Sequence, residues 1–247
     1  MSYVIVGASA GLGRALAQRL AQNGHSLVII AQDARDLDAM AADLSLRFGV
    51  RCAVLAGDLA EPEVMSKRLT AVLQDWVDLE GFLFASGWAT DADDIELAPN
   101  QARRLLDVNL TSAIMLVEAV LPRLRAQRRG VIVGFGSIAA SRGRSVNMVY
   151  AAAKRGLESY FESLRHALTS EGIRVQFYVI GFLDTNMSFD LQTPLPKASP
   201  ERLADRVVGR LDREFGKSYF PAWWAPLCLA LKVVPWSIMR RLQIRHK

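Results

Sequence analysis

Short apolar runs, most of them rich in β-branched residues, recur at Tyr3–Val6, Leu27–Ala31, Cys52–Leu55, Phe82–Ala85, Val131–Phe135 and Val175–Ile180, with amphipathic stretches of helix length between them. That alternation leaves few folds open. The runs are apolar at successive residues, so both faces of each strand must be covered. Strand alternating with helix then predicts a parallel sheet with helices on both sides. Right-handed crossovers make it a doubly wound, Rossmann-type α/β sheet. A further strand is expected at Lys217–Phe220, and 247 residues are ample for one such domain.

Charge is unevenly placed. Residues 1–214 carry 24 basic and 25 acidic side chains, whereas residues 215–247 carry Lys217, Lys232, Arg240, Arg241, Arg245 and Lys247 and no acid. Nucleic-acid binders spread Lys and Arg over a face of the fold, so no nucleic-acid partner is expected. Cys52 and Cys228 stand far apart, which excludes a disulfide scaffold or a Cys-rich zinc site. His25, His166 and His246 are scattered, and no metal site is expected. The chain starts on a strand without a basic leader, so a cytoplasmic protein is expected. Asp190–Pro200, with Pro194, Pro196 and Pro200, reads as a surface loop able to cover a substrate.

The first strand runs into Gly7-Ala8-Ser9-Ala10-Gly11-Leu12-Gly13, and a helix follows at Arg14-Ala15-Leu16-Ala17. Glycines at 7, 11 and 13 allow a tight turn and close approach to a pyrophosphate, which the free N–H groups of the helix start would face. After the second strand, Ala31 and Gln32 stand where an Asp would favour NAD or an Arg would favour NADP. With that carboxylate absent and Arg14 and Arg35 near, the expected cofactor is NADPH, with NADH still open.

Tyr150 and Lys154, four apart in an alanine-rich helix, share one face. A phenol has a pKa of about 10, and a neighbouring ammonium favours its phenolate. Such a Tyr can give a proton to a carbonyl oxygen or take one from an alcohol. Ser137 lies thirteen residues earlier at a strand end, where doubly wound enzymes place their chemistry. Its hydroxyl can polarise a substrate oxygen.

The G-x-x-x-G-x-G turn, with Ser137, Tyr150 and Lys154 in this order, resembles the short-chain dehydrogenase/reductase family over about residues 2–190. The resemblance implies a catalytic tetrad of Asn109, Ser137, Tyr150 and Lys154, with Asn109 holding a water in the proton relay. It implies cofactor contacts at Gly7, Ser9, Gly11, Leu12, Gly13, Gln32, Asp58, Gly87, Tyr150, Lys154 and Thr185. Asp58 reads equally as an adenine contact or a loop cap. Thr185 would meet the nicotinamide carboxamide. Val6 replaces the usual Thr, Phe84-Ala85-Ser86-Gly87 keeps only the glycine of Asn-Asn-Ala-Gly, and Ile180 replaces a Pro. The family also implies a homo-oligomer.

Residues 1–220 thus read as the dinucleotide-binding catalytic domain and 221–247 as an apolar, basic tail. From Pro221 to Met239, 14 of 19 residues are apolar and three are Trp. Pro226, Lys232 and Pro235 interrupt it, so it is expected to lie on a membrane surface or to contact another subunit rather than to span. This tail, and Arg142 and Arg144 before the Tyr, resemble reductases of decaprenylphosphoryl-2-keto-ribose. That resemblance implies a keto-sugar on a polyprenyl phosphate, a flavin oxidase as pathway partner, and a cell-envelope role. Arg142 and Arg144 would contact the lipid phosphate, or else belong to a solvated loop. A hydrophobic ketone such as a 3-ketoacyl group is the alternative substrate. A dinucleotide-binding scaffold recruited to a membrane is a further alternative, and its cue would be a broken tetrad.

Overall fold

The structure, a computed structural model, describes residues 1–185 and 195–241. Seven strands are β1 (Ser2–Val6), β2 (Ser26–Ala31), β3 (Cys52–Ala56), β4 (Leu79–Phe84), β5 (Gly130–Ser137), β6 (Ile173–Ile180) and β7 (Lys217–Phe220). They form one parallel sheet in the order β3-β2-β1-β4-β5-β6-β7. This is the doubly wound α/β fold expected from the alternation. Its order reverses between β1 and β4, and ligands of such sheets lie at the strand carboxyl ends beside that point.

One face is covered by α3 (Pro62–Leu73), α5 (Ser112–Gln127) and α6 (Met148–Leu168), through Leu69, Leu116 and Phe161. The other is covered by α1 (Gly11–Gln22), α2 (Ala34–Phe48) and α7 (Pro200–Val208), through Leu16, Leu37 and Leu203. All six side chains are fully buried. Burying such a side chain contributes about 1.5–3 kcal/mol. Glycine in β5 makes room for the largest of them. A Cβ on Gly134 would lie 2.5 Å from the Phe161 ring, and one on Gly136 would lie 2.6 Å from Phe177.

α4 (Pro99–Leu106) runs through one π-helical turn, Asp107–Thr111, into α5. The combined stretch is long and apolar enough to cross a membrane, yet Leu116, Val117, Val120 and Leu124 are fully buried against the sheet. β4 begins three residues earlier than its apolar run suggests. Glu80 and Gly81 mask its start, and Gly81 lies under the Tyr3 ring.

The tail forms α8 (Trp224–Val233) and α9 (Trp236–Met239). Pro226 does not interrupt α8, contrary to the expectation from sequence. It sits in the first turn, where an N–H has no intrahelical acceptor to lose. Trp224, Cys228 and Met239 face inward and are buried, while Leu229, Val233, Trp236 and Ile238 are more than half exposed. Arg245, His246, Lys247 and the first part of the 190–200 loop lie outside the described residues.

Candidate active site at the strand carboxyl ends

The turn after β1 is a cradle that only glycine permits. Gly7 and Gly11 have φ of 85° and 49°. A Cβ on Gly13 would lie 2.0 Å from the Gly7 carbonyl oxygen, and one on Gly11 would lie 3.0 Å from Thr185 Cγ2. This places Thr185, from beyond β6, against the turn. Ser9 is half-exposed and Leu12 is buried. The residue preceding α1, Ala10, caps it with no side chain, and its first turn holds no acid. The helix start therefore keeps its positive end for an anion, as a dinucleotide pyrophosphate requires. The residues present fit a nicotinamide dinucleotide.

At the adenosine end, the exposed Gln32 donates from Nε2 to Asp58 Oδ2 at 3.5 Å. Asp58 caps its own loop, accepting from the Ala60 N–H at 2.9 Å, and pairs with Arg104 at 3.0 and 3.3 Å. The loop-cap reading of Asp58 is thus present in the structure, together with an ion pair that sequence reasoning missed. Asp33 caps α2 through the N–H groups of Arg35 and Asp36, and Arg14 and Arg35 are exposed.

Ser137 ends β5 in register with Ile180 of β6. Its hydroxyl accepts from the Ala139 N–H at 3.1 Å. Tyr150 lies in the first turn of α6, where the Ser137 hydroxyl acts on its phenol. Burial pushes its phenol above the ordinary value, and the Ser137 hydroxyl pulls it partly back. Lys154, one turn on, is 4% exposed. Its ammonium donates to the Ser86 and Phe135 carbonyls at 3.2 and 3.4 Å and lies 5.9 Å from the Tyr150 ring centre. Burial pulls its pKa down from 10.5 to about 8. The fold therefore brings Ser137, Tyr150 and Lys154 together, and Lys154 reaches Ser86 beside Gly87.

Asn109 is fully buried in the π-helical turn. Its Nδ2 donates to the Trp88 and Leu105 carbonyls at 2.7 and 3.0 Å, and its Oδ1 accepts from the Trp88 N–H at 3.2 Å. The side chain therefore clamps the loop following Gly87. Both ends of its amide are thus engaged by backbone.

Sequence reasoning missed Asp93. It is 1% exposed, and its two oxygens accept from the N–H groups of Val149 and Tyr150 at 2.9 and 2.8 Å. The residue before α6, Asn147, has φ of 55° and makes no side-chain cap. The carboxylate thus arrives from 57 residues away to cap the helix that carries Tyr150, where the dipole favours an anion.

The mouth of the site is walled by α8, which packs against the short 3-10 turn Ile138–Ser141 after Ser137. Trp224 lies over Gly181 and edge-on to Phe182, ring centres 5.7 Å apart. Arg142 donates to the Lys232 and Val234 carbonyls at 2.9 and 3.0 Å. That is a cationic cap on the end of α8, so the expectation that Arg142 meets substrate phosphate does not match its placement. Arg144 is half-buried with no hydrogen-bond or ion-pair partner among the described residues, and burial pulls its pKa down.

A glycine cradle at the first strand of a parallel sheet, facing a Ser–Tyr–Lys cluster four strands' sequence further on, defines a nicotinamide-dependent oxidoreductase. The short chain dehydrogenase profile matches residues 2–195, and the chain belongs to that family. It is 30% identical over 214 residues to an uncharacterised oxidoreductase of Bacillus subtilis, YmfI, covering 85% of each chain. It is 26% identical to a very-long-chain 3-oxoacyl-CoA reductase of Podospora anserina, covering 90% of this chain and 67% of that one. A short-chain dehydrogenase of Sphingobium yanoikuyae, solved with NADPH, superposes with a TM-score of 0.83 at 26% identity, over 100% of this chain and 98% of that one.

Proposed function

We propose that the chain reduces a ketone with NADPH, and that the ketone is carried on an apolar anchor held at a membrane. The carrying observation is the placement of α8. Its inner face walls the site through Trp224, and its outer side leaves Leu229 and Val233 exposed. The substrate proposed first is a keto-sugar on a polyprenyl phosphate, reduced as the second step of an epimerisation after a flavin oxidase has made the ketone. Arg144, half-buried and without a partner among the described residues, is then the contact for the phosphate. Residues 221–247 rest on the anionic inner face of the membrane, with the body of the protein in the cytoplasm. NADPH is favoured by the missing carboxylate at Ala31 and by the NADPH bound in the Sphingobium relative.

When bound, the nicotinamide supplies the hydride for the carbonyl carbon. Gly7, Ser9, Gly11, Leu12 and Gly13 hold the pyrophosphate, with Gly87 and Thr185 along the rest of the cofactor. Ser137 holds the carbonyl oxygen while Tyr150 gives it a proton. A phenol held above its ordinary pKa is in the donor state that reduction requires. The phenolate left behind is stabilised by Lys154, whose charge sits in a site of low polarity. Asn109 keeps the loop after Gly87 in place, and Asp93 keeps the start of the Tyr150 helix in place.

The test is NADPH oxidation with a polyprenyl-phosphoryl keto-sugar and a 3-ketoacyl thioester side by side. Turnover of the keto-sugar by the native chain, and loss of at least about 100-fold in Tyr150→Phe with NADPH affinity unchanged, is expected. Turnover of the thioester alone would replace the keto-sugar with the second reading, a 3-ketoacyl reductase, which the Podospora relative favours. Retained activity in Tyr150→Phe would refute the mechanism.

A further inference from the structure

The end of β2 reads the ribose substituent of a dinucleotide. Here Gln32 occupies that end, and the Asp58 carboxylate lies 3.5 Å from its amide. A carboxylate so placed favours a ribose hydroxyl and repels a phosphate. Its charge is met by Arg104, which holds both oxygens, at 3.0 and 3.3 Å. A forked guanidinium suits a carboxylate held this way. Arg104 is itself braced. Its guanidinium lies 5.5 Å from the Trp88 ring centre, and the Trp88 backbone is clamped by Asn109 on both its N–H and its carbonyl. Asp33, the other carboxylate of this end, has one oxygen occupied by the N–H groups of Arg35 and Asp36.

We propose that Arg104, on the helix before the π-helical turn, is a specificity determinant for the cofactor: it neutralises Asp58, so that a 2′-phosphate can sit beside Gln32. Arg104 does this from across the site, 46 residues along the chain from the carboxylate it masks. It acts through Asp58 and the local field, not by touching the reacting atoms. The inference rests on the NADPH reading given above.

The test is equilibrium binding of NADPH and of NADH to the full chain, read by cofactor fluorescence without any carbonyl substrate. Removing the cation in Arg104→Met should raise the Kd for NADPH roughly fivefold to tenfold and leave that for NADH within about twofold. Adding Asp58→Asn to that variant should bring the ratio of the two Kd values back to within about twofold of the native one, because the unmasked carboxylate is gone. Arg104→Lys, which keeps the charge, should hold most of the ratio and serves if the methionine variant does not fold. Equal weakening of both cofactors would overturn the inference and leave Arg104 a prop for the adenine loop. An unchanged ratio in Arg104→Met would also overturn it. The native ratio alone tests the NADPH reading, whereas the change in ratio tests Arg104, so the two can fail separately.

Discussion

Replacing Lys154 by methionine should make the protein more stable while disabling it. Methionine nearly matches the length and width of lysine but carries no charge. In the native fold, burial holds the Lys154 pKa at about 8, against 10.5 for the free side chain. Between those values the unfolded chain binds more protons than the folded one, so this group makes stability rise with pH through that window. Below it the folded state bears the whole penalty, about 3 kcal/mol at pH 7. At pH 9.5 the folded lysine is already neutral and the penalty falls to about 1.5 kcal/mol. Against this, the Ser86 and Phe135 carbonyls lose a donor, a loss of about 1 kcal/mol. Lys154→Met should therefore gain about 2 kcal/mol at pH 7, or roughly 4–8 °C in Tm for a chain of this size, and close to nothing at pH 9.5. Thermal unfolding of both proteins at the two pH values, beside an NADPH-oxidation assay, measures this. A variant no more stable than the native chain at pH 7, or a gain that does not shrink at pH 9.5, would refute the reasoning.

Asp93→Ala should leave two N–H groups at the start of the Tyr150 helix buried and unpaired, lowering stability by about 2–4 kcal/mol. Asp93→Asn keeps one acceptor and should fall between; equal Tm values for all three proteins would show that the cap contributes nothing. For the tail, vesicles of phosphatidylglycerol should sediment the native chain more at 50 mM than at 500 mM salt, and Val233→Ser with Trp236→Ser should reduce the bound fraction severalfold. Equal sedimentation of native and doubly substituted protein would dismiss the membrane contact, and a dimer lost in the same variant would assign that face to a second subunit.

What could be read in advance follows from how local each signal is. A strand apolar on both faces announces itself in five residues, which is why the sheet and its order class were legible. The glycine turn and the Tyr150–Lys154 pair are likewise local, one set by backbone conformation and the other by a single helical turn. The residues that went unread act across long stretches of chain. Asp93 caps Tyr150, Arg104 pairs with Asp58, and Arg142 ends α8 from 90 residues away. An isolated Asp or Arg in a loop looks the same whether it meets water or a distant helix end. Pro226 was misread for the opposite reason: its effect depends on its position within a helix whose start the sequence does not mark.

Arg142 joins two parts of the chain that answer to different demands. The strands and α6 must keep the Ser137–Tyr150–Lys154 geometry whatever ketone arrives. The segment after β7 meets that geometry along its rim, through Trp224 over Gly181, α8 against Ile138–Ser141 and the Arg142 clasp. It is therefore a replaceable part. Exchanging this segment is expected to change which ketones enter without altering a single catalytic side chain. By the same logic, substitutions within Trp224–Val233 are expected to alter the entrance to the site while leaving the Ser137–Tyr150–Lys154 cluster in place.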